Sequence, residues 1–142
     1  MLLVFLTLGL FLEALHGFKA GFYLNATNES RRLLWTLAHA HGTLLSLVHL
    51  AFAAYLTTRI DWPRGRLKLA SRSLMGGSIL LPVSFFLSGL YIYDGDPGLF
   101  IYLAPFGALL LFVAVFLIAG SAMAARPESQ IKDLEARETG QP

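Results

Sequence analysis

Long apolar runs alternate with short polar ones along this chain. Leu33–Thr58, Ser73–Tyr93 and Pro97–Ala125 contain no Asp, Glu, Lys or Arg. Each is long enough to cross a hydrocarbon core, which takes about 20 residues of helix. Met1–Leu24 is nearly as apolar, interrupted only by Glu13, His16 and Lys19. The pattern predicts an all-α membrane protein, a four-transmembrane-helix antiparallel bundle with spans at about 1–24, 33–58, 73–93 and 97–125. These spans form one transmembrane domain, 1–125, followed by a polar tail over 126–142, in which Glu128–Glu138 is expected to form a short surface helix. The joints agree with this layout. Asn25–Arg32 is a short polar turn, and Asp94–Gly98, reading Asp-Gly-Asp-Pro-Gly, has tight-turn chemistry. Ile60–Arg72 reads as a longer, basic loop.

Composition strengthens the membrane assignment. Hydrophobic residues are 56% of the 142 and charged residues 14%, and the mean hydropathy is +0.62. An average soluble domain carries about 25% charged residues, and one this small could not bury so much apolar surface. The net charge of +2 is too small to point to a nucleic acid. No cysteine is present, which excludes disulfides, thiolate metal sites and cysteine nucleophiles. Positive charge is unevenly placed. Arg59, Arg64, Arg66, Lys68 and Arg72 lie in the second loop, and Arg126, Lys132 and Arg137 in the tail, against Lys19, Arg31 and Arg32 on the other side. Because cytoplasmic loops carry the excess of Lys and Arg, a multi-pass integral membrane protein with both termini cytoplasmic is expected. A cleaved secretory signal at Leu2–Leu12 is disfavoured, since no basic start precedes it and Glu13 follows at once. Asn25-Ala26-Thr27 and Asn28-Glu29-Ser30 match the glycosylation triplet on the outer side.

Helices in lipid associate through close contact of small residues. Ala38, Gly42 and Ser46 make one stripe on the second span, and Gly77, Ser84 and Ser88 another on the third. Both are expected helix–helix contacts. Pro82 frees the carbonyl of Ser78, one turn earlier. Trp35, Tyr91, Tyr93 and Tyr102 are expected as aromatic anchors near the outer boundary, and Trp62 near the inner one. Lys19 is expected to snorkel to the outer headgroups, and Arg31 and Arg32 to meet lipid phosphates or a partner.

Candidate chemistry is confined to polar groups in the first two spans, which hold all four histidines. Such groups cost several kcal/mol in a bilayer unless paired or bound. Counted from the outer ends at 1.5 Å per residue, His16 lies roughly 12 Å deep, Glu13 roughly 16 Å, His39 roughly 9 Å and His41 roughly 12 Å. His49 lies deeper, at about 24 Å. Glu13, His16, His39 and His41 thus share a layer and form a candidate site for a transition metal. His39, His41, His16 and His49 are candidates for cofactor binding, haem included. The plainer alternative is that the histidines hydrogen-bond to neighbouring hydroxyls or carbonyls and hold the bundle in register.

The run Ala38-His39-Ala40-His41-Gly42-Thr43-Leu44-Leu45 resembles the His-x-His stretches in membrane helices of the haem–copper oxidase superfamily and of small proteins related to it. In that group, histidines facing the bundle interior ligate haem or copper. The resemblance covers about eight residues and implies ligation by His39 or His41. It does not imply oxygen reduction. Four spans are far fewer than in an oxidase catalytic subunit, and the later spans carry no histidine.

No nucleophile elbow, phosphate-binding loop, dinucleotide fingerprint or His-Glu-x-x-His motif is present, so catalysis is not expected. The expected role is a non-catalytic accessory or cofactor-holding subunit of a membrane complex that moves electrons or protons. Its partners would be membrane lipids and other membrane subunits, or a second copy. A stand-alone transporter or proton-coupled carrier, with Glu13 as the protonating group, is the alternative.

Overall fold

The structure, a computed structural model, describes residues 1–24, 29–58 and 62–139, without the side chains of Thr58 and of residues beyond Met123. The helices are α1 (Leu2–Gly17), α2 (Gly21–Leu24), α3 (Glu29–Thr58), α4 (Arg64–Leu90) and α5 (Ala104–Thr139). A two-stranded hairpin, β1 (Ile92–Tyr93) with β2 (Asp96–Pro97), and a 3-10 turn at Leu99–Leu103 join α4 to α5. Within α3, α4 and Leu99–Met123 run three helical stretches long and apolar enough to cross a membrane. Asn25 and Asn28, with their two triplets, lie in or overlap the segment outside the described residues, as does Arg59.

The first apolar segment differs from the expected continuous span. It breaks after 16 residues, and α1 is shorter than the three long helices. The break is a Schellman-type cap: Ala20 N–H donates to Leu15 O at 3.0 Å and Lys19 N–H to His16 O at 3.1 Å. Lys19 takes the left-handed conformation at φ 52°, a position that usually goes to glycine. Leu15 and Ala20 both pack against the buried cluster of Leu12, Tyr23 and Trp35. Lys19 is thus a backbone turn residue as well as an exposed cation.

The other boundaries move as well. Arg64, Arg66, Lys68 and Arg72 form the first turns of α4 and not a loop, and α5 continues as one helix through the region expected to be a separate surface helix. The Asp94-Gly95 turn is as expected. Both residues have positive φ, 49° and 89°, as a two-residue hairpin turn with right-handed strand twist requires.

Packing follows chain order: α1 lies on α3, α3 on α4, and α4 on α5. Among the long stretches α4 is the most covered, 44% of its most apolar window being buried against 11% for α5. Its sequence explains this, because Ala70, Ser73, Gly77, Ser78, Ser84 and Ser88 leave little side chain to hold neighbours away. A Cβ on Gly77 would fall 2.8 Å from Gly107 O, and one on Gly107 would fall 2.8 Å from Leu81 N, so α4 and α5 touch backbone to backbone. Two apolar clusters close the ends. Leu12, Tyr23 and Trp35 pack near the hairpin end, and Phe52, Ala70, Leu74 and Ala114 at the other. The stripe of Ala38, Gly42 and Ser46 is buried, as are Gly77, Ser84 and Ser88.

Candidate functional site between the first and third helices

Glycine on α1 and α3 makes room for the neighbouring side chain in each direction. The His39 ring lies over Gly9, where a Cβ would come within 2.3 Å of it, and the Phe5 ring lies over Gly42, where a Cβ would come within 2.2 Å. His39 Nδ1 sits 2.8 Å from Phe5 O and 3.5 Å from Thr43 Oγ1. A carbonyl can only accept, so Nδ1 carries the proton, and in the neutral ring Nε2 is an acceptor. His39 thereby joins two helices by one bond that crosses between them.

The remaining histidines of α3 face the other neighbour. His41 donates from Nδ1 to Leu37 O at 2.9 Å, one turn back on its own helix, and its ring meets Phe85 at 5.3 Å. His49 Nε2 and Ser78 Oγ share a hydrogen bond of 3.2 Å, beside the helical break in bonding made by Pro82. The expected layer of four groups is therefore divided between two helix interfaces. The cause is the angle of about 160° between residues two apart on a helix: with His39 turned to α1, His41 faces α4.

Three members of the expected layer do share a space. A cavity of about 680 Å³ opens along the α1–α3 groove, lined by Glu13 and His16 of α1, Tyr23 of α2, and Glu29, Ser30, Arg32, Thr36 and His39 of α3, with Gly9, Leu12 and Leu33 as its apolar wall. Glu13 and His16 are accessible, and His39 is half-buried. Among the described residues no three of His, Asp and Glu gather closely enough to hold a metal ion. Glu13, His16, His39 and His41 are therefore not assembled as the expected metal-ligand set. Glu13 is closer to a helix end than the sequence count put it, because α1 stops at Gly17 and not at Leu24.

Three residues, Arg31, Trp35 and Ser30, carry structural work that the sequence did not disclose. Arg31 donates from Nε to Gly89 O at 2.9 Å and from Nη1 to Phe22 O at 3.3 Å, joining α3 to the end of α4 and to α2. Trp35 was expected at a lipid boundary, but it is buried. It stacks between Tyr23 and Phe86 and donates from Nε1 to Phe86 O at 3.2 Å. Ser30 Oγ donates to Gly95 O and fixes the hairpin to the start of α3. Tyr91, Tyr93 and Tyr102 are exposed, whereas Trp62 packs edge-on against Phe52 and Tyr55.

Compared with protein-family models, with curated proteins and with solved structures, the chain matches none.

Proposed function

We propose that this chain is a non-catalytic accessory subunit of a larger membrane assembly, crossing the bilayer four times as an antiparallel bundle with both termini in the cytoplasm. The observation that carries the role is the way its intramembrane histidines are bonded. His39 and His49 are committed to a carbonyl and a hydroxyl of two different neighbouring helices, and His41 to a carbonyl of its own helix. Bonds such as those of His39 and His49 hold helices in register, and the three rings do not converge on a reacting atom. The antiparallel order is supported by pairs that run in opposite directions along adjacent helices: Phe5 with Gly42 and Gly9 with His39, then Trp35 with Gly89 and His49 with Ser78, then Gly77 with Leu111 and Gly107 with Leu81. Apolar side chains along α5, among them Phe106, Leu109, Phe112 and Phe116, stay exposed and are available to lipid or to a partner helix.

Purification from native membranes in mild detergent tests this. Co-purification in fixed stoichiometry with another membrane polypeptide is the expected outcome, and a chain that always migrates alone contradicts it.

A cofactor-holding role is the second reading, favoured by one detail. In both His39 and His41 the Nδ1 proton is tied to a backbone carbonyl, the arrangement that fixes the tautomer and orients Nε2 in metal- and haem-ligating histidines. An optical spectrum and metal analysis of the purified protein decide it. A Soret band or stoichiometric metal that is lost in His39→Ala or His41→Ala supports the reading, and a colourless, metal-free protein removes it.

A further inference from the structure

We propose that the cavity between α1 and α3 binds a primary ammonium group, held by the Glu13 carboxylate and by His39 Nε2. Three observations lead there. The lining carries two carboxylates, Glu13 and Glu29, and one guanidinium, Arg32, so with its histidines neutral the space has one negative charge in excess. Glu29 and Arg32 already face each other at 4.0 Å, while Glu13 has no hydrogen bond or ion pair among the described residues. The unmatched charge is therefore that of Glu13, and in a membrane setting an unpaired carboxylate favours a cationic occupant.

The histidine narrows the class of cation. Because Phe5 O holds the Nδ1 proton of His39, Nε2 of the neutral ring presents a lone pair. A lone pair accepts from an N–H donor and gains nothing from a quaternary ammonium, which has none. Thr36, on the same wall, supplies a third acceptor in its hydroxyl. A primary ammonium has three N–H donors for these three acceptors. Gly9, Leu12 and Leu33 give an apolar wall against which an alkyl chain can lie, so the occupant is an amphiphilic amine. Two sources supply that chemistry: an aminophospholipid headgroup and a free alkylamine.

The test uses the full chain in nanodiscs of phosphatidylcholine, titrated with octylammonium and with octyltrimethylammonium. Octylammonium is expected to bind at least about tenfold more tightly, since a hydrogen bond to a charged group contributes about 1.5–3 kcal/mol and 1.4 kcal/mol is tenfold. Glu13→Gln should weaken octylammonium by about tenfold or more while leaving the unfolding midpoint unchanged, because Glu13 is accessible. Arg32→Gln removes the competing cation and should leave the affinity equal or higher. Equal affinity for the two amines, or an unchanged affinity in Glu13→Gln, overturns the site, and so does a loss in Arg32→Gln as large as that in Glu13→Gln. Native mass spectrometry after delipidation from mixed phosphatidylethanolamine–phosphatidylcholine bilayers separates the sources. Selective retention of phosphatidylethanolamine assigns the site to lipid, and octylammonium binding without such retention assigns it to a soluble amine.

Discussion

Lys19 is the residue whose backbone is most at odds with its side chain. It sits in the left-handed region at the end of α1, where a Cβ crowds the following carbonyl, and it ends the helix there because two cap hydrogen bonds outweigh that cost. Lys19→Gly is therefore expected to stabilise the protein by about 0.5–1 kcal/mol, read as a higher midpoint in detergent denaturation. Substituting alanine for glycine elsewhere probes the opposite sign. Interior polar pairs are a second test at this scale. A double-mutant cycle on His49→Ala and Ser78→Ala should give a coupling of about 0.6 kcal/mol, the average for such bonds between membrane helices. A coupling of zero would mean that the two groups do not support each other. Among the polar residues, the part legible in the sequence was that Glu13, His16 and His39 lie near one another, since all three line one cavity. The angle of about 160° between His39 and His41 was legible too, but not which neighbouring helix each would face, because that depends on the packing of α3 between α1 and α4. Arg31 was not legible because its partners are backbone carbonyls, one of them 58 residues away, and carbonyls leave no mark in a sequence.

Among the elements, α4 organises the fold, since its small residues let both neighbouring helices approach closely. The contact of α4 with α5 depends on Gly107, which faces the backbone of Leu81. Backbone cannot move aside, so Gly107→Ala should destabilise by about 1–3 kcal/mol as an overpacked contact. Gly120, in the same helix, has nothing within 4 Å of a built Cβ, and Gly120→Ala should be neutral or stabilising by up to about 1 kcal/mol. Thermal or detergent denaturation of the two variants, compared side by side, checks both the sign and the contrast. The long uncharged runs and the Asp-Gly pair made α3, the apolar part of α5 and the turn at Asp94-Gly95 readable in advance, though not the two short strands beside it. The break after α1 was hidden because summed hydropathy passes over Gly17-Phe18-Lys19-Ala20-Gly21, although its two glycines bracket the turn. The basic start of α4 was hidden for the opposite reason: Arg64, Arg66, Lys68 and Arg72 look like a loop to a charge count, yet Arg and Lys are good helix formers.

At the scale of the whole molecule, the placement of every polar group depends on how many times the chain crosses the bilayer. The helix in question is α1, whose 16 residues span about 24 Å, a little under the hydrocarbon thickness. If it crosses, Glu13 and His16 stand near the outer membrane face beside the start of α3, and the cavity opens there. If it lies along the surface, the chain crosses three times and the cavity is reached from a headgroup layer alone. Because the chain has no cysteine, an introduced one reports its own location without interference. The most direct measurement is therefore labelling of Leu3→Cys and Asp96→Cys by a membrane-impermeant maleimide in sealed vesicles, before and after permeabilisation; both side chains are exposed. Four crossings predict that the two positions label from opposite faces, position 96 from outside and position 3 only from the cytoplasmic side. Labelling of both from the same face would contradict the four-crossing arrangement.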